Sequence, residues 1–265
     1  MFLTHVFLFP HILYEGDGVR PDMLFENCSF ISQCGKEVII RDEYIYLFVN
    51  DKFYKKVSLI DKSADKIALG DKIYVSGKDT GCIFVYDYNL KINCSLKIGE
   101  HISDVKYKDG CLFVLVFNEN RIYKVFDEKI ISYFEFNEYP QTVIINNSVF
   151  VLTCDGWHNY IYMFDFSLNL IKNVKMSRQI GDIYEIFHKI VYLGEDKNYV
   201  FNRNLNLMSN KKSTGRNILC KCNNYPVFLE GSGMFDVWNN VTYPSAESHI
   251  TGQLHHQQIS PSLKQ

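Results

Sequence analysis

The chain has 265 residues, 47% of them hydrophobic and 22% charged, which excludes a disordered tail and supplies enough apolar material for a large core. A formal net charge of -2 excludes a broad basic nucleic-acid surface, because such surfaces cluster Lys and Arg to neutralise phosphates. The 18 Tyr and 20 Phe, dispersed with Val and Ile through short segments, favour strands, since aromatic and β-branched side chains suit a pleated surface.

In chain order, "FLTHVFLFP" opens an apolar stretch over residues 2–14 that reads as a strand. It lacks a basic leader region and a small-residue cleavage site, and no segment approaches the roughly 18 apolar residues of a membrane helix. A soluble, cytoplasmic chain without a membrane span is expected. From there, apolar segments ending in Asp or Asn recur: "YIYLFVN" ends at Asn50, "CIFVYD" at Asp87, "RIYKVFD" at Asp127, "YIYMFD" at Asp165, "NYVFN" at Asn202 and "MFDVWN" at Asn239, spaced 37 to 40 residues apart. A partner run precedes most of them across a short polar loop, as "LFVLV" precedes "RIYKVFD", and the two form a hairpin. A strand of the "SDVKYKDG" kind stands before each hairpin, and a more polar one such as "KIISYFEF" follows it.

Four strands repeated about every 40 residues is the pattern of a β-propeller blade, and no segment shows sustained helical periodicity. The expected fold is therefore all-β, a single β-propeller over residues 1–240 with six four-stranded blades. These fall at 20–61, 62–99, 100–137, 138–177, 178–214 and 215–239. The last blade is one strand short. Residues 2–14 are expected to complete it and close the ring, removing two exposed sheet edges; the alternative fourth strand is "VTYPSA". Residues 241–265 read as a polar tail.

"IGEHISDVKYKDGCLFVLVFNENRIYKVFD", and less closely "EYPQTVIINNSVFVLTCDGWHNYIYMFD", resemble the repeats of bacterial YVTN-type β-propellers in their turn, hairpin and terminal Asp. Glycine follows the first strand at Gly110, whereas Asn147 and His188 stand there in later repeats. The resemblance implies architecture and little about activity, because propellers host binding, scaffolding and several unrelated enzymes.

Eight Cys are expected to be free, mostly buried thiols, because a core of this size needs no disulfide and the closest pair, Cys220 and Cys222, has no second pair at zinc-ligand spacing. Phosphate-binding glycine loops, hydrolase elbows and H-E-x-x-H are absent from the sequence. Candidate chemistry therefore falls to the loops between second and third strands and between blades. "CDGWHN" combines Asp155, Trp157 and His158, although Asp155-Gly156 is first of all a hairpin signal. His101, Arg121, Arg178 and Arg216 lie in the other loops of that face. Asp79, Glu119 and Glu195, with Asp155, are the weak candidates for a metal, and calcium is the ion such oxygen ligands would take; solvated loop carboxylates are the commoner outcome. No cofactor is expected.

The leading expectation is a monomeric, non-catalytic interaction module whose loop face takes a protein partner or a small ligand, with Trp157 and Arg178 as anchors. Two alternatives are a metal-dependent propeller hydrolase or lactonase, and a carbohydrate-binding propeller that uses exposed Trp157 and Tyr139.

Overall fold

The computed structural model describes residues 29–33, 35–41, 43–50, 52–77, 80–176, 181–186, 188–194, 197–212, 218–222, 225–228, 235–236 and 241–242. Every regular element among them is a strand. Five successive four-stranded antiparallel meanders account for most of the chain. The first is β1 (Ser29–Gln33), β2 (Lys36–Arg41), β3 (Tyr44–Val49) and β4 (Lys52–Ser58). The second is β5 (Lys66–Leu69), β6 (Ile73–Gly77), β7 (Cys82–Tyr86) and β8 (Ile92–Lys97). The third is β9 (Ile102–Lys108), β10 (Cys111–Val116), β11 (Arg121–Phe126) and β12 (Lys129–Glu135). The fourth is β13 (Tyr139–Ile145), β14 (Val149–Cys154), β15 (Asn159–Phe164) and β16 (Leu170–Lys175), and the fifth is β17 (Gly181–Ile186), β18 (Lys189–Gly194), β19 (Lys197–Phe201) and β20 (Leu207–Lys212).

The sheets stack face to face. One apolar cluster lies between each consecutive pair: Leu47 and Val38 meet Ile73 and Val75; Ile83 and Val85 meet Val114 and Val105; Phe113 and Leu115 meet Phe164 and Val151; Phe150 and Ile161 meet Ile190 and Phe201. Second strands such as "CLFVLV" read as unbroken apolar runs because both their faces are covered. The fourth strands alternate exposed and half-buried positions and form the outer edge.

The first strands lie side by side, β1 against β5, β5 against β9, β9 against β13 and β13 against β17. Polar ties one repeat apart join them: the Val143 N–H donates to Asp104 Oδ2 at 3.0 Å, Thr142 Oγ1 donates to Asp182 Oδ1 at 3.2 Å, and Ser103 Oγ donates to the Pro140 carbonyl at 3.0 Å. Asp104 is buried, and its other oxygen accepts from the Val105 N–H and from Lys106, so its charge is met from three directions.

In the second, fourth and fifth sheets the recurring Asp or Asn that marks the repeat caps the turn into the fourth strand. Asp87 Oδ1 accepts from the N–H groups of Asn89 and Lys91, Asp165 Oδ1 from Ser167 and Asn169, and Asn202 Oδ1 from Asn204 and Asn206, all at 2.8 to 3.0 Å. Asn does what Asp does, so the requirement is an acceptor oxygen and not a charge. Each of these turns also inserts a buried leucine with positive φ, Leu90 at 55°, Leu168 at 65° and Leu205 at 52°. The third sheet makes the same connection with two left-handed residues, Asp127 and Glu128, as a two-residue hairpin turn requires.

After the fifth sheet, β21 (Ile218–Cys222) and β22 (Tyr225–Phe228) form a hairpin that joins the first sheet through one parallel bridge, Phe30 to Cys222, while β22 also borders β17. β23 (Phe235–Asp236) pairs with β24 (Val241–Thr242), the segment given above as the alternative fourth strand. Among the described residues these hairpins stay separate and make no sixth four-stranded sheet. Residues 2–14, expected to close the ring, lie outside the described residues.

Candidate functional site

The loops between second and third strands and the connections between sheets share one end of the stack, which holds most of the expected site residues. Of those, Arg178, Arg216, Asp79 and Glu195 lie outside the described residues. His101, Glu119, Arg121, Asp155, Trp157 and His158 lie within them, on the third and fourth sheets.

Asp155 closes its own turn. Its Oδ1 accepts the N–H of Trp157 at 2.8 Å and of His158 at 2.6 Å, and its Oδ2 accepts the Tyr160 hydroxyl at 3.0 Å. These donors, the His158 N–H foremost, hold the carboxyl well below the ordinary aspartate range. Gly156, with φ of 90°, supplies the left-handed corner and lifts the indole of Trp157 outward, where it is 60% exposed. His158 Nδ1 stands 3.4 Å from Asp155 Oδ2. The hairpin reading of "CDGWHN" therefore holds for Asp155, and Trp157 is what the turn displays.

Arg121 is the first residue of β11 and not part of the loop before it. Its Nη2 and Nε both donate to Glu135 Oε2, at 2.7 and 3.0 Å, across the β11–β12 ladder, and its guanidinium lies 4.9 Å from the Tyr133 ring centroid. Glu119 accepts a hydrogen bond from Tyr123 and stands 3.9 Å from Arg121. Both charges thus serve a cross-strand network.

Two further carboxylates work in the same way. Glu138, buried in the connection from β12 to β13, accepts from the Tyr162 hydroxyl at 2.8 Å and from Thr153 at 3.3 Å. Burial and this carboxylate push the Tyr162 phenol well above its usual value. Asp61 accepts from Ser63 and Thr80; burial alone would raise its pKa, but those hydrogen bonds outweigh it and the net shift is downward. Among the described residues no group of three or more His, Cys, Asp or Glu stands together as a metal site. Cys82, Cys94, Cys111 and Cys154 are free, as expected, but half-buried and not fully buried.

An aromatic group also gathers at this end. Phe117, the first residue of the β10–β11 loop, stacks on Tyr139 with ring centroids 5.0 Å apart and planes 18° apart. His101 lies beside the pair, its ring centroid 5.4 Å from that of Phe117, and its carbonyl, at a residue with φ of 56°, accepts the Phe117 N–H at 2.8 Å. Tyr139 is 49% exposed. It pairs with Cys154, so the Trp157 turn begins directly opposite it on the same sheet. The stack therefore bridges the third and fourth sheets, with Trp157 at its flank. Phe117 escaped the sequence reading; its one signal is a bulky apolar residue opening the polar loop "FNEN".

No family model matches the chain, and no curated protein matches its sequence. Solved structures do match its fold. BamB from Moraxella catarrhalis is similar over 69% of this chain and 63% of its own, at 8% identity and TM-score 0.54. The Pan2 WD40 domain of Neurospora crassa is similar over 70% and 65%, at 10% identity and TM-score 0.56. BBS1N, solved in complex with ARL6DN, is similar over 71% and 66%, at 12% identity and TM-score 0.55. In all three the match spans less than two thirds of the relative's own length. At such identities the likeness speaks for architecture, and this chain has the β-propeller fold.

Proposed function

We propose that the protein is a binding module whose propeller scaffold presents the aromatic group His101, Phe117, Tyr139 and Trp157 to a partner. The observation that carries this reading is the stacked Phe117–Tyr139 pair with His101 beside it, at a loop end where Asp155, Glu119, Arg121 and Glu138 are all engaged in turns and cross-strand bonds. Rigid aromatic side chains bury large area at low entropic cost and dominate binding hot spots. The similarity to BBS1N, solved with ARL6DN, supports a protein partner by analogy of fold alone.

A second reading is carbohydrate binding, and the exposure of both Trp157 and Tyr139 favours it, since sugar rings stack on open aromatic faces. Peptide and glycan arrays probed with the wild-type protein and with Tyr139→Ala/Trp157→Ala separate the two. A bound peptide or glycan should lose at least about tenfold in affinity in the double variant. Equal binding by both proteins removes the aromatic group from the site.

A further inference from the structure

Acidic residues flank the aromatic group on both sides. Glu100 immediately precedes His101, and its N–H donates to Glu119 Oε1 at 3.3 Å, which sets two acidic residues together where His101 and Phe117 stand. On the other sheet, Glu138 immediately precedes Tyr139, and Asp155 follows Cys154, the residue paired with Tyr139. Glu100 is exposed and Glu119 half-buried.

The lysines and arginines at this end of the third and fourth sheets do not balance those acids. Arg121 serves two carboxylates at once: it donates twice to Glu135, and its Nη1 stands 3.9 Å from Glu119 Oε2. Lys106 donates to buried Asp104 at 3.0 Å on the inner strand, and that pair cancels. Lys175, the last residue of β16, lies 5.5 Å from the ring centroid of Tyr160, whose hydroxyl donates to Asp155. On the neighbouring second sheet, Lys97 donates to the Thr80 carbonyl at 2.6 Å. Arg178, in the connection after β16, lies outside the described residues. Among the described residues, Arg121 and Lys175 therefore face Glu100, Glu119, Glu135, Glu138 and Asp155.

We propose that the partner of this site is a protein segment that presents an arginine, whose guanidinium stacks on the exposed aromatic side chains while the acidic rim, Glu100 foremost, meets its charge. The proposal rests on the binding-module reading above and names the chemistry of the partner. An aromatic face carries the negative side of its quadrupole, so a cation is drawn to it, and Trp and Tyr hold one best. An acidic partner would set carboxylate against carboxylate, and an apolar one would strip water from the acidic rim and give nothing back. Lysine is a compact, strongly hydrated point charge, whereas the flat guanidinium covers a ring with its faces and donates to carboxylates from its edges.

The test selects dodecapeptides from a random display library on the full chain and resynthesises them with each arginine replaced in turn by citrulline, which keeps the shape and removes the charge, or by lysine. Affinities are then measured for the wild type, for Tyr139→Ala/Trp157→Ala and for Glu100→Gln. Peptides that depend on the aromatic pair should contain an arginine whose change to citrulline weakens binding at least about tenfold, and lysine there should recover only part of the loss. Glu100→Gln should weaken the same peptides about two- to fivefold, the range of an exposed ion pair, with an unchanged melting temperature. Peptides that need the aromatic pair but tolerate citrulline at every position overturn this proposal and leave the binding reading standing. Full recovery by lysine overturns the assignment to arginine, and unchanged affinity in Glu100→Gln overturns the part given to the acidic rim. Peptides that bind Tyr139→Ala/Trp157→Ala as well as the wild type, or a selection that yields no peptide, overturn the reading beneath and the proposal with it.

Discussion

The two ends of the sheets are built on different rules. At the end carrying the turns into the fourth strands, the second, fourth and fifth sheets repeat one device, an Asx-capped turn with a buried left-handed leucine, and Asp and Asn interchange in it. At the loop end the second, third and fourth sheets solve their turns separately: Asp61 with Thr80, Glu119 with Tyr123 and Arg121, and in the fourth Glu138 with Tyr162 and Asp155 with the Trp157 and His158 amides. Repetition marks where geometry alone is demanded. Variation marks where the chain is free to display a different side chain in each sheet, and the aromatic group stands there.

The largest effect that tests this contrast is at Leu168. Leu168→Ala should cost about 2–5 kcal/mol, because a buried aliphatic side chain is lost. Leu168→Gly should cost less than Leu168→Ala. A left-handed backbone strains any residue with a Cβ by about 1–2 kcal/mol, and glycine relieves that strain. At an ordinary strand position the order is reversed. Urea midpoints of the two variants decide it: a Gly variant weaker than the Ala variant would mean that the turn is not holding Leu168 left-handed.

Much of the first end was legible in the sequence and less of the second. The Asp or Asn spacing of 37 to 40 residues betrays the repeat because the turn needs an acceptor oxygen at a fixed place, and that need is local. Asp155-Gly156 is legible for the same reason. Arg121 reads as a loop cation because its partner Glu135 stands 14 residues away and meets it only through the strand register. Likewise Phe117, His101 and Tyr139 come from three separate segments, and nothing local in any of them announces the stack. The β-bulges that open β16 and β20 are equally hidden: "LIK" and "LMS" look like imperfect alternation until the register against β15 and β19 leaves Ile171 and Met208 as the extra residues.

A middle-sized effect tests the loop end. Tyr162→Phe removes one of the two hydroxyl donors to buried Glu138 while leaving the ring in place, and should cost about 1–3 kcal/mol. The loss should shrink in a Glu138→Gln background, giving a coupling of about 0.5–3 kcal/mol in a double-mutant cycle. Additive losses would show that the hydroxyl serves something other than the carboxylate.

The smallest effect sits at the repetitive end, where burial works against the charge of the half-hidden Glu185. Asn146 donates to it, and His188 Nδ1 lies 3.8 Å away on an exposed side chain, a pairing that water screens. Burial nevertheless raises its pKa, with His188, Arg203 and Lys108 pulling only partly the other way. The folded state therefore holds this proton more tightly than the unfolded chain does. Its contribution is full below the unfolded value of about 4.3 and is lost as pH rises through the higher folded value. Glu185→Gln keeps an oxygen for Asn146 and removes the buried charge. It should raise the urea midpoint near neutral pH and flatten the wild-type decline between the acid range and neutrality. A midpoint lowered near neutral pH would show that the charge of Glu185 is stabilising there, and that His188, Arg203 and Lys108 outweigh its burial.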